Sequence, residues 1–227
     1  MGKNKLGKFA ENKTFKHVFQ PTAEESLNED YKNKGNWRKN YFNNENPIIL
    51  EVGCGKGEYS VGLGKQFKDK NFIGIDIKGA RIWRGAKTVE EENIKNVAFL
   101  RTRAEFIERF FGKDEIDEIW ITFADPQPKK DKKRLTSPRF IEHYRNILKK
   151  GGIIHLKTDS DLLYEYTMEQ IKENNYELIQ ETNNLYGELI NNLDNETKQI
   201  MNIKTHYEKL FSDKGFDIKY VKFKINS

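Results

Sequence analysis

The segment Leu50-Glu51-Val52-Gly53-Cys54-Gly55-Lys56-Gly57 places three glycines at alternate positions directly after an apolar run. Glycines at such a turn let the backbone adopt positive φ and approach a ligand closely. Their G-x-G-x-G spacing departs from the G-x-G-x-x-G of dinucleotide sites, which moves the expected cofactor from NAD towards S-adenosylmethionine. Glu51, just before the turn, could take a cationic ammonium group or orient the loop. A second apolar run, Phe72-Ile73-Gly74-Ile75, ends in Asp76, 19 residues after Gly57. A carboxylate about 20 residues beyond the glycines suits a ribose diol; the competing reading of Asp76 is a cap for a helix beginning near Lys78. Arg103, after the third run, stands where sheets of this kind contact the adenine ring, or is a solvated residue at a helix start.

A second concentration of chemistry lies in Phe123-Ala124-Asp125-Pro126-Gln127-Pro128-Lys129-Lys130. Two prolines separated by one residue stiffen the backbone and hold Asp125 at a strand's carboxyl end, where open α/β sheets bind ligands. The densest basic stretch follows at once: Lys129, Lys130, Lys132, Lys133 and Arg134. A charge run is ordinarily a solvated loop; beside an active strand end it suits phosphates, whose binding falls steeply with salt. Lys3, Lys5, Lys8, Lys13 and Lys16 would extend that patch as an arm. Four scattered histidines, His17, His143, His155 and His206, offer no metal-ligand spacing, so no metal is expected.

The elements able to position these groups follow from the spacing of apolar runs. Ile48 to Val52, Phe72 to Ile75, Val97 to Leu100, Ile119 to Phe123 and Ile153 to Leu156 predict strands. Glu58 to Phe67, Gly79 to Glu92, Pro138 to Leu148 and Leu162 to Asn174 suit helices, with Gly151-Gly152 as a helix stop. Strands alternating with helices predict a Rossmann-like parallel α/β sheet. Phe216 to Ile225 reads as an antiparallel closing strand with a bulge at Tyr220-Val221. Residues 1–46 are polar, basic and without a sustained strand period, predicting an arm with short helical pieces before a domain over 47–227.

The 227 residues suffice for one such domain, and 40 Lys+Arg against 35 Asp+Glu give a formal charge of +5, favouring a polyanionic partner or simply a charged surface. A single cysteine, Cys54, excludes an intrachain disulfide and a cysteine-rich metal site. With neither an apolar signal core nor a bilayer-spanning run, the reading is a soluble cytoplasmic protein, monomer or homodimer, with no membrane partner.

Taken together, Glu51-Val52-Gly53-Cys54-Gly55-Lys56-Gly57, Gly74-Ile75-Asp76, Asp125-Pro126-Gln127-Pro128-Lys129, Leu156-Lys157-Thr158-Asp159 and Thr205-His206-Tyr207-Glu208 resemble the bacterial tRNA (guanine-N7)-methyltransferase family. The resemblance implies a class I methyltransferase fold: a mostly parallel seven-stranded sheet with an antiparallel closing strand and helices on both faces. It implies that Glu51, Gly53, Gly55, Gly57, Asp76, Arg103 and Asp125 hold S-adenosylmethionine, with Asp125 also the active-site acid. Lys129, Asp159, Thr205, Tyr207 and Glu208 fall on substrate-contacting positions, and Lys132, Lys133 and Arg134 on an RNA-contacting loop. The implied acceptor is guanosine in tRNA, at position 46 of the variable region. Two residues depart from the family pattern: Gln127 replaces the usual tryptophan, and Arg103 stands where Asp or Asn is commoner.

The chemistry is compatible with these roles. Guanine N7 carries a lone pair and no proton, so methylation needs alignment and electrostatics more than a base. Asp159 and Glu208 are candidate acceptors for guanine N1–H and the exocyclic amine; alternatively Asp159 caps a helix and Glu208 lies on a surface face. Rival readings are a methyltransferase of another substrate class, a non-catalytic RNA-binding module on the same fold, and a dehydrogenase. The Asp125-Pro126-Gln127-Pro128 stretch lacks the N/D-P-P-aromatic order of adenine-N6 enzymes, the retained Glu51, Asp76 and Asp125 speak against a dead site, and the glycine spacing against a dehydrogenase.

Overall fold

The structure, a computed structural model, describes residues 5–22, 24–25 and 31–226, and the backbone alone of Tyr207. Its central sheet is built from β1 (Val18–Phe19), β2 (Ile48–Val52), β3 (Asn71–Asp76), β4 (Val97–Arg101), β5 (Ile116–Thr122), β6 (Leu148–Thr158), β7 (Glu177–Thr182) and β8 (Lys219–Lys224). Their order across the sheet is β1-β4-β3-β2-β5-β6-β8-β7. All neighbours from β1 to β6 pair in parallel, whereas β8 runs antiparallel to both β6 and β7. The sheet therefore has eight strands rather than seven, the addition being β1 at the outer edge of β4.

Helices α1 (Lys5–Asn12), α2 (Glu58–Gln66), α3 (Gly79–Glu91), α4 (Pro138–Ile147), α5 (Asp161–Glu173), α6 (Asn195–Met201) and α7 (His206–Ser212) surround it. The near-continuous apolar strands explain why both faces must be covered. On one face Tyr59, Val61 and Leu63 of α2 pack with Ile82, Ala86 and Val89 of α3. On the other, Phe140, Ile141 and Tyr144 of α4 join Leu163 and Ile171 of α5.

Described residues before Pro47 are bound into this architecture. Trp37 is wholly buried; its indole N–H donates to the Phe110 carbonyl at 2.8 Å and its backbone N–H to Glu115 at 2.8 Å. The buried Glu115 carboxylate also accepts from Gly35 and Gly112. Losing a ring packed this way costs about 3–5 kcal/mol, so Trp37 is a piece of the core. Helix α1 docks on α3 through Asn12 to the Gly79 carbonyl and Glu11 to Trp83 and Lys87. Lys3 lies outside the described residues.

Two expectations are corrected near the carboxyl end of the chain. Pairing of β6 with β8 is continuous from Lys219 to Lys224, so no bulge lies at Tyr220-Val221. Both residues are buried because the strand is interior: Tyr220 packs on one face and Val221 on the other. The register shift lies instead in β7, between Leu178 and Gln180. Likewise Gly151-Gly152 does not stop a helix; α4 has ended at Ile147, and the glycines fall inside β6 where its pairing with β5 slips between Ile116 and Glu118.

The chain runs outward from β2 to β3 and β4, then returns to β5 on the other side of β2. Such a reversal leaves a crevice at the strands' carboxyl ends, the expected ligand position in an open α/β sheet. The glycine turn follows β2 and Asp125 follows β5, so the two motifs flank that crevice.

Candidate active site

Gly53, Gly55 and Gly57 all adopt positive φ, at 80°, 56° and 70°. The need is sharpest at Gly57, where a Cβ would lie 2.4 Å from the Phe99 ring. At Gly55 a Cβ would meet nothing within 4 Å, so the backbone there faces open space. The turn is pinned from below: Gly53 and Cys54 donate their N–H groups to the Ile75 carbonyl, each at 2.9 Å.

Asp76 completes the rim. Its Oδ2 accepts from Gly55 N at 3.0 Å and its Oδ1 from Lys78 N at 2.7 Å. Asp76 does not cap α3, whose cap position is Lys78 with no side-chain cap hydrogen bond; one oxygen closes the turn before the helix while the other ties the carboxylate to the glycine loop. A cavity of about 180 Å³ opens beside it, lined by Gly53, Asp76, Thr102, Arg103, Glu105 and Leu135 among others. Arg103 is exposed at its edge and pairs with Glu105 at 3.3 Å.

Glu51 is placed differently, 3% exposed beneath the turn. Ser60 donates its backbone N–H at 3.0 Å and its hydroxyl at 2.5 Å to Oε2, and Thr122 its hydroxyl to Oε1 at 2.6 Å. Of the two roles open to Glu51, this geometry is that of orienting the loop, because it bridges β2, β5 and α2. Burial pushes its carboxyl up from 4.5 to about 7, against the pull of these hydrogen bonds. Between those pH values the folded state binds the extra proton, so its stability falls as pH rises through the window. Urea unfolding at pH 4.5 and 7.5 should show the wild type losing about 3 kcal/mol more than Glu51→Gln across that interval.

Asp125 is exposed just beyond β5, bracketed by two non-glycine residues in the left-handed region, Phe123 (φ 50°) and Gln127 (φ 48°). Such backbone is costly and persists where the surroundings over-determine it. Here Phe123 N donates to the Lys157 carbonyl, Gln127 N to Asp125 Oδ1 at 2.9 Å, and Arg134 Nε to the Pro126 carbonyl. Lys129, Lys132 and Lys133 are exposed, but Arg134 is 7% exposed, its guanidinium 4.4 Å from the Tyr166 ring centre. Among the loop's cations, Arg134 is folded inward and holds the loop.

Asp159 follows β6, the strand next to β5, and is half-buried, which holds its carboxyl above the usual range. The helix cap proves to be Ser160, whose hydroxyl accepts from Leu163 N, so Asp159 is not spent on capping α5. Thr205 caps α7, accepting from Glu208 N at 3.1 Å. Glu208 is fully buried, paired with the equally buried Lys157 at 2.9 Å and not on a surface face. The side chain of Tyr207 lies outside the described residues. Ser60, Thr122 and Leu135 were not given a role in sequence, and Lys157 entered only as a member of the Leu156-Lys157-Thr158-Asp159 motif, directly after the apolar run of β6. Among the described residues no cluster of three or more His, Cys, Asp or Glu could hold a metal, and no helix is long and apolar enough to cross a membrane.

Comparison with known proteins agrees with this geometry. Residues 45–221 match the family described as putative methyltransferase. A tRNA (guanine-N(7)-)-methyltransferase of Bacteroides fragilis is 51% identical over 224 residues, covering 98% of this chain and 86% of the relative. Another, from Christiangramia forsetii, is 47% identical and covers 98% of both chains. Of solved structures, the 16S rRNA methyltransferase KamB superposes with a TM-score of 0.61 at 14% identity, over 84% of this chain and 91% of that one, a likeness of fold alone. Fold and site define a class I S-adenosylmethionine-dependent methyltransferase. Within that class, the chain belongs to the tRNA (guanine-N7)-methyltransferase family.

The residues present fit the cofactor: a positive-φ turn with open space at Gly55, a half-buried carboxylate at Asp76 with lone pairs left over, and a cavity lined by Gly53 and Asp76.

Proposed function

We propose that the protein transfers a methyl group from S-adenosylmethionine to N7 of a guanosine in tRNA, at position 46 of the variable region, in the cytoplasm. One observation carries the reading: the glycine turn, whose Gly53 lines a cavity with Asp76, and the carboxylate Asp125 follow the adjacent strands β2 and β5, where the sheet order reverses, and exposed lysines come next in the chain. When bound, S-adenosylmethionine supplies an electrophilic methyl group on a sulfonium.

The chain's own residues do the rest. Gly53, Gly55 and Gly57 shape the loop, Asp76 accepts from the ribose diol, Arg103 borders the adenine, and Glu51 braces the loop from beneath. Asp125 orients the donor and stabilises the positive charge that passes to the purine; with no proton on N7, it removes none. Asp159 accepts from guanine N1–H and the exocyclic amine, a donor pair that adenine lacks. Lys129, Thr205 and Tyr207 complete the acceptor side.

Lys132 and Lys133 take tRNA phosphates, whereas Arg134 shapes their loop. Lys132→Ala with Lys133→Ala should reduce the log–log salt slope of tRNA binding by about one to two, as loss of one or two phosphate contacts does. An unchanged slope places the RNA elsewhere. The target atom is tested by tRNA carrying 7-deazaguanosine at position 46: without N7 there, methyl incorporation should vanish, and persistent incorporation would refute the site.

A further inference from the structure

Lys157 and Glu208, each 0% exposed, meet at the carboxyl end of β6. Lys157 Nζ donates to Glu208 Oε2 at 3.1 Å, to the Met201 carbonyl at 2.7 Å and to the Tyr186 hydroxyl at 3.2 Å, and lies 2.9 Å from Glu208 Oε1. The Tyr186 hydroxyl in turn donates to Glu208. All three donor directions of the ammonium are thereby used.

This cluster is a junction between the two halves of the site. Lys157 also sits 5.6 Å from the ring centre of Tyr59, whose hydroxyl donates to the Ile200 carbonyl just before Met201. His206 N, at the start of α7, donates to Glu58 in the first turn of α2, next to the glycine loop. Along β6, Lys157 is two residues from Asp159. Burying two charges is costly, and the cost is met only when their mutual geometry and surrounding hydrogen bonds are good. A carboxylate so enclosed has no face left for a purine.

We infer that Lys157 and Glu208 are positioning residues: their buried ion pair fastens α7 and the chain around Met201 to the end of β6, setting Asp159 against the cofactor loop, and Glu208 does not touch the guanine. The inference rests on the reading of Asp159 as the guanine acceptor. Glu208 would then act on guanine selection only through the placement of other groups.

The test compares Lys157→Met, Glu208→Gln and the double variant K157M/E208M on tRNA with guanosine or inosine at the target site, inosine lacking the exocyclic amine. Each single variant strands a buried charge or weakens the pair and should lower kcat/KM about 10–100-fold, mostly in kcat, with the guanosine-to-inosine preference within twofold of wild type. The double variant removes both charges at similar volume, and Tyr186, already 2.9 Å from the Met201 carbonyl, can take over that acceptor; activity should recover to within about tenfold of wild type, the usual pattern when a buried pair is replaced as a unit. A preference that collapses in Glu208→Gln, or a double variant no better than the worse single, overturns the proposal. If a single variant does not fold, the double variant decides. Asp159→Asn runs alongside: should it leave the preference unchanged, the underlying reading of Asp159 fails while the recovery of the double variant still reports on the pair.

Discussion

Asp125→Ala is expected to lower kcat by about 10²–10³-fold, the range for removing one preorganised electrostatic contact, while tRNA Kd stays within about twofold. The split follows from location. Asp125 is exposed at the end of β5, and its one backbone tie within the loop is the short-range bond from Gln127 N. Its removal leaves intact the basic loop, which is held separately by Arg134 to the Pro126 carbonyl and to Tyr166. On the proposed role, what is lost is a negative charge beside the transferring methyl, where positive charge moves from sulfonium to purine. Asp125→Asn keeps the acceptor for Gln127 N, so a comparable loss in that variant would assign the effect to charge rather than loop shape. Single-turnover rates with saturating cofactor and a parallel filter-binding titration measure both quantities. Near-normal turnover in either variant would remove Asp125 from the mechanism.

The second large effect is on cofactor affinity. Asp76→Ala should weaken S-adenosylmethionine binding about 100-fold, equivalent to about 2.7 kcal/mol. Two losses combine: the proposed diol acceptor disappears, and Gly55 N and Lys78 N lose the carboxylate that holds them. Hydrogen bonds to a charged group contribute about 1.5–3 kcal/mol each, enough for this total from one of them and a loosened loop. Asp76→Asn should fall between, because an amide oxygen can still accept from Gly55 while the charge is gone. Calorimetric titration reads the difference, and a change below threefold in Asp76→Ala would place the ribose elsewhere.

Strands with two apolar faces were easy to read, and β2 begins and ends as expected, at Ile48 and Val52. The edge strand β7 was not: Leu178 and Ile179 are both exposed and most of its residues face solvent, so neither alternation nor an apolar run marks it. Two-residue β1 is too short for any period, and its place depends on pairing with residues of β4 that lie 81 positions away in the chain. The glycine turn and Asp76 were legible because positive φ and a rim carboxylate impose residue types at fixed spacing. Identity alone does not separate Lys132 and Lys133 from Arg134, since exposure is decided by Tyr166 and the Pro126 carbonyl. Glu208 is the clearest case: as a residue type it suits a guanine acceptor, and only the fold brings Lys157, 51 positions earlier, to within 2.9 Å.

The most direct test of the central claim is to incubate the purified protein with labelled S-adenosylmethionine and unmodified tRNA transcripts, digest the RNA and identify the methylated nucleoside by mass spectrometry. N7-methylguanosine, mapped to the variable region and lost in Asp125→Ala, is the expected product. A different methylated nucleoside, or labelled cofactor bound with no methylated nucleoside at all, would contradict it.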